Sequence, residues 1–235
     1  MKLGILNAIN PRESTVNWGG SPVDAYVRFI QSVGVDFEAV GYEVAQGQLP
    51  ALSNECDAYV ITGSPRGAYD SDAWIGGLKN FIENGVQAGK GFVGICFGHQ
   101  VLAHTLGGHV EKSEKGWGLG LKSFQISKSK PWMNGGPEQL ALYFAHQDQV
   151  LTLPADAELL GGNEFCPIAL YTIRDQILGI QGHPEFSRSI MNDIVENKKK
   201  SGEVVVAMEA EASLENGSPD GQLVAEWIAK FLGLK

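Results

Sequence analysis

The chain has 235 residues, of which 43% are hydrophobic and 19% charged, the profile of a water-soluble globular protein with enough apolar side chains to build a sizeable core. Its net charge of −9 leaves no basic excess to neutralise phosphates, which argues against a broad nucleic-acid or anionic-membrane surface. We expect one α/β domain spanning residues 1–235.

The opening MKLGILNAIN reads as a strand, and its apolar run is too brief for a secretory core or a membrane span. SPVDAYVRFIQSVG follows as a helix, with Ser21 as N-cap, Pro22 in the first turn and Gly34 beyond the end. VDFEAVGYEV and DAYVITG are the next strand candidates. Between Ser71 and Ala88, Trp74, Leu78, Phe81, Ile82 and Gly85 recur at helical spacing. GFVGIC is continuously apolar, as a strand covered on both faces should be, and FGHQVLAHTLGG is a helix closed by its glycine pair. Strands alternating with helices predict a parallel sheet with right-handed crossovers.

From about Gly116 the pattern changes. GLGLKSFQIS, ALYFA, AELLGG, IALYTIR and ILGIQGH are short strands separated by turns, suited to an antiparallel extension. SRSIMNDIVENKKK and DGQLVAEWIAKFL predict two closing helices, while SGEVVVAMEAEASLENGSPDG fits strand or helix. The basic run Lys198–Lys200 complements the dipole at a helix end and solvates it. Cys56, Cys96 and Cys166, odd in number and widely spaced, form neither a disulfide framework nor a C-x-x-C metal motif. A reducing, cytoplasmic setting is the expectation, and no metal or cofactor is called for.

Cys96 stands out. In GICFG a thiol sits between Gly94 and Gly98, where a strand turns sharply into a helix. Such a turn holds its central residue in a strained conformation and tolerates only small residues two positions away, the logic of the nucleophile elbow. The positive end of the following helix favours negative charge on sulfur there. A nucleophilic cysteine needs a base and a group that orients it. His99 and His104 are five residues apart, about 140° around a helix, and share no face. His183 closes a strand pattern and opens HPEF, where Glu185 could hold one ring nitrogen while the other takes the thiol proton, since alternate side chains of an extended segment share a face.

GICFGHQ together with the downstream GHPE resembles the class I glutamine amidotransferase family, most firmly from Asp57 to Met191. The resemblance implies a flavodoxin-like α/β fold: a mainly parallel central sheet flanked by helices, with an added antiparallel extension. It implies Cys96 as nucleophile, His183 as general base and acid, and Glu185 as orienter. It places an oxyanion hole at ITGSPRG, with Gly63 and the Ser64 amide, and with the Phe97 amide as second donor. Family members usually carry glycine-glycine or asparagine-glycine before the proline, and here Ser64 departs from that. Because the donors are backbone groups, serine need not abolish the hole. Gln100 matches a substrate-holding glutamine, and Ala145, Gln147 and Asp148 in YFAHQDQV match the segment that grips the amino-acid end of glutamine. His146 is read as structural.

The run ITGSPRGAYDSDAWIGGLKNFI is similar to the single-domain branch that includes gamma-glutamyl peptidases. The implied activity is hydrolysis of a gamma-glutamyl amide through a thioester on Cys96, releasing ammonia and glutamate. The small-molecule substrate is glutamine or, on the alternative reading, a glutathione-like gamma-glutamyl compound. A synthase partner accepting ammonia is a further expectation from the family, since no synthase domain is visible in the chain. A non-enzymatic binding protein on the same fold, or a redox or chaperone-like relative with a cysteine elbow, are rivals; the intact Cys96, His183 and Glu185 weigh against the first and GHPE against the second.

Overall fold

The computed structural model describes residues 1–12, 14 and 16–235. In chain order the elements are β1 Lys2–Leu6, α1 Pro22–Gln31, β2 Glu38–Tyr42, β3 Ala58–Ile61, α2 Ala73–Gln87, β4 Gly91–Ile95 and α3 Phe97–Thr105. They continue with β5 His109–Lys112, β6 Gly118–Ile126, β7 Gln139–His146, β8 Asp148–Thr152, β9 Ala157–Gly162, β10 Leu170–Ile173 and β11 Ile177–Ile180. Helices α4 Arg188–Lys200, α5 Val204–Ser213 and α6 Gly221–Leu232 complete the chain.

Among the described residues, nine strands form one sheet in the order β2-β1-β3-β4-β11-β10-β9-β6-β7. β2, β1, β3, β4 and β11 run parallel, and β10, β9, β6 and β7 extend the sheet antiparallel. The alternation along each parallel strand builds a layer on either face. Leu3, Ile5, Val60, Val93 and Ile95 point into the cluster shared with α1 and α6, where Tyr26, Ile30, Trp227 and Ile228 are buried. Leu6, Tyr59, Ile61 and Phe92 point the other way, onto Ile75, Leu78, Phe81 and Ile82 of α2 and Val101 and Leu102 of α3. A third cluster seats α4 and α5 against β6 and β7 through Ile190, Met191, Ala207, Leu119 and Tyr143. This is the flavodoxin-like arrangement with its antiparallel extension.

Local chemistry explains where the elements begin. Ser21 caps α1 by accepting from the Asp24 amide, and Asp24 returns the bond to the Ser21 amide, a complete capping box. Ser187 caps α4 through the Ile190 amide. The ambiguous stretch after α4 is helical as α5, although Val204, Val205 and Met208 remain exposed. The small antiparallel pair β5 and β8 is an element the sequence reading did not separate. Among the described residues no helix is long and apolar enough to cross a membrane.

Candidate active site

Strands β3, β4 and β11 are neighbours in the parallel sheet, and their carboxyl ends bring together Gly63–Ser64, Cys96 and His183. Open α/β sheets gather functional groups at that edge. Cys96 sits between β4 and α3 with φ 54° and ψ −104°, a left-handed backbone that a non-glycine residue adopts only when its surroundings enforce it. The enforcing contacts are visible. The Cys96 amide donates to the Ile180 carbonyl at the end of β11 (2.8 Å), and the Gly98 amide donates to the Thr62 carbonyl (3.2 Å). A Cβ on Gly98 would lie 2.3 Å from the Ile61 carbonyl oxygen, and one on Gly94 would lie 2.3 Å from the Gly98 backbone. Both glycines are therefore the clearance the turn requires.

His183 and Glu185 meet, but not along an extended strand. β11 ends at Ile180, His183 makes a single antiparallel bridge with Tyr143, and the chain then turns through Pro184. The turn, rather than strand alternation, brings His183 Nδ1 within 2.8 Å of Glu185 Oε1, with both side chains nearly inaccessible to solvent. Phe186 stacks on the imidazole, 3.9 Å between centroids and 11° between planes. Gly63 also lies close to the ring, and a Cβ there would come 2.9 Å from His183 Cε1.

Burial pushes the His183 imidazole toward the neutral form, but the adjacent Cys96 sulfur and Glu185 carboxylate, through charge and hydrogen bonds, outweigh it and raise the pKa to about 10. Cys96 and Glu185 together thus favour the imidazolium form of His183. His99 and His146 show the contrast: burial lowers each to about 3, so both are neutral. His146 Nδ1 engages the Asp148 carbonyl at 2.9 Å, as a structural side chain would.

Tyr26, from the middle of α1, is a member of the site that sequence reasoning missed. Its hydroxyl donates to Glu185 Oε1 (2.8 Å) and accepts from the Gly63 amide (3.0 Å). One buried phenol thus links the carboxylate behind His183 to the loop after β3. The Gly63 amide is committed to Tyr26, which leaves the Ser64 and Phe97 amides of the three groups expected at the oxyanion position. A tyrosine among apolar residues of an amphipathic helix gives no sequence signal for such a role.

A cavity of about 380 Å³ opens over Cys96 and His183, with Gly63, Ser64 and Ala145 in its wall. Phe97, Gln100, Gln147 and Asp148 are not in that wall. The Gln100 amide nitrogen instead donates to the Asp148 carbonyl (2.7 Å) and to Gln181 Oε1 (3.1 Å), tying α3 to β8 behind the site. Lys198, read as part of a solvating basic run, turns inward: its ammonium lies 3.2 Å from the centroid of the Trp117 ring and both residues line the cavity. Lys198 has a lowered pKa because burial disfavours its charge.

Fold, elbow and His–Glu pair together define a cysteine-elbow α/β protein, and comparison with known proteins makes the assignment specific. The class I glutamine amidotransferase family model matches residues 15–200. Gamma-glutamyl peptidase 3 of Arabidopsis thaliana is 34% identical over 201 residues, covering 81% of each chain. The glutamine-hydrolysing GMP synthase of Aquifex aeolicus is 30% identical across 74% of this chain but only 33% of its own length. Among solved structures, a glutamine amidotransferase from Thermotoga maritima superposes with a TM-score of 0.76 over 98% of this chain and 97% of its own, at 18% identity, a likeness of fold. The chain belongs to the class I glutamine amidotransferase family.

Proposed function

We propose that this protein is a cysteine amidohydrolase that cleaves gamma-glutamyl amides, with Cys96 as nucleophile, His183 as acid and base, and Glu185 as orienter. The observation that carries the reading is the strained Cys96 elbow facing an imidazolium held by Glu185. In the first half-reaction the Cys96 sulfur bonds to the gamma-carbonyl carbon, and the Ser64 and Phe97 amides stabilise the oxyanion. The carbon–nitrogen bond then breaks as His183 gives its proton to the departing amine. The gamma-glutamyl thioester no longer places negative charge on sulfur, so one of the two anions sustaining the imidazolium is gone. His183 is then better able to take a proton from water as the water oxygen bonds to the carbonyl carbon. The carbon–sulfur bond breaks, glutamate leaves, and the sulfur anion and imidazolium are restored.

Likeness over 81% of both chains to a gamma-glutamyl peptidase favours a gamma-glutamyl peptide as substrate. Likeness to one segment of GMP synthase supports the second reading, a glutaminase whose ammonia passes to a synthase partner. Gln100, Ala145, Gln147 and Asp148 are proposed to form the end of the site that takes the amino-acid part of the substrate, Ala145 directly, Gln147 and Asp148 through the backbone where β7 passes into β8, and Gln100 by holding the Asp148 carbonyl. Incubating the protein with glutamine and with gamma-glutamyl dipeptides should release glutamate from at least one of them, and Cys96→Ala should abolish the release. Undiminished release in Cys96→Ala would reject the mechanism.

A further inference from the structure

The cavity over Cys96, about 380 Å³, must hold both the gamma-glutamyl group and the amine joined to it, and its lining indicates what that amine can be. Beyond the catalytic groups, much of its described wall is apolar: Ile9, Val16 and Trp18 from the segment after β1, Phe186, Trp117, and Ile194 of α4. Ser14, Asn197, Lys198 and Ser201 add polar groups to the wall, with Lys198 able to meet a carboxylate, but the apolar stretch offers a charged group no partner, and unpaired polar burial is costly. The apolar part of the chamber therefore suits a different part of the substrate.

The two indoles in this wall are built into place. Trp117 Nε1 donates to Glu203 Oε1 (3.0 Å), while Lys198, itself 3.5 Å from Glu203, covers the ring. Trp18 Nε1 donates to Ser14 Oγ (3.1 Å), and its ring meets Phe186 edge-on at 5.7 Å. Phe186 in turn stacks on His183. A continuous aromatic path thus runs from the imidazole, where the leaving amine takes its proton, out to Trp18. Each indole satisfies its one polar atom, and although Lys198 covers one face of Trp117, both rings line the cavity.

We infer that the amine side of the substrate carries a bulky apolar or aromatic group, so that the protein prefers gamma-glutamyl amides such as gamma-glutamyl-phenylalanine to glutamine or gamma-glutamyl-glycine. The inference rests on the hydrolytic reading above and adds the class of leaving group. Apolar burial accounts for the preference, since a pocket distinguishes substrates by roughly 10–200-fold for a single methylene and a phenyl ring offers more surface.

The test is kcat/KM of the wild-type protein for gamma-glutamyl-phenylalanine, gamma-glutamyl-glycine and glutamine. The expected result is at least a tenfold advantage for the phenylalanine amide. Trp18→Ala and Trp117→Leu should narrow that advantage by lowering the phenylalanine substrate more than the glycine one. Similar efficiency on all three substrates overturns this inference alone and leaves hydrolysis standing. Failure of all three overturns the hydrolytic reading and the inference with it.

Discussion

At the scale of single residues, the charge on His183 is the quantity from which the chemistry follows. Burial alone would leave this imidazole neutral, as it leaves His99 and His146; its contacts with Cys96 and Glu185 reverse the outcome. The consequence for stability has a definite sign. A histidine whose pKa rises from the ordinary 6.5 to about 10 on folding contributes stabilisation that is fully present below 6.5 and is lost as the pH climbs through 10. His183→Asn should therefore destabilise the protein most at or below pH 6.5, with the gap to wild type closing by pH 10, as read by urea unfolding across that range. A gap that widens with pH would contradict the assignment. The pair itself was legible because HPE is short and local: Glu185 is two residues from His183, and any compact turn brings them together. The extended geometry anticipated for it was wrong because β11 stops at Ile180 and Pro184 imposes a turn.

Among the elements, the β4–α3 elbow was readable because its glycines report steric demand that the backbone alone creates. A Cβ on Gly94 or Gly98 would meet backbone atoms at 2.3 Å, and no flexible side chain could yield there. The contribution of α1 was not readable. Tyr26 lies 159 residues from Glu185, and nothing local distinguishes a packing tyrosine from one whose hydroxyl bridges two parts of a site. The same holds for Lys198, whose inward turn depends on Trp117 from another part of the chain. The segment forming α5 was ambiguous for a related reason: Val204 and Val205 are both exposed, so its valines mark no single buried face. Tyr26→Phe tests the α1 connection. Losing the bond to a carboxylate and the bond from the Gly63 amide should cost about 2 kcal/mol of stability. It should also lower kcat roughly tenfold while leaving KM close to wild type, because Tyr26 acts through Glu185 on a proton transfer. A wild-type kcat in a comparably destabilised variant would reduce Tyr26 to a packing residue.

For the molecule as a whole, the parallel order β3-β4-β11 matters more than any motif. The loop after β3, the elbow after β4 and the turn after β11 are far apart in sequence, and only this strand order makes their ends adjacent. Alternating β and α patterns in the sequence made the sheet class legible. The cavity walls were not, because Trp18, Trp117 and Ile194 come from three segments with no shared pattern. Covalent catalysis at Cys96 is tested by mass spectrometry of protein quenched in acid during turnover of a gamma-glutamyl amide. A glutamyl adduct mapping to the peptide that carries Cys96 is the expected result. Steady turnover with no adduct, or an adduct on Cys56 or Cys166 instead, would contradict it.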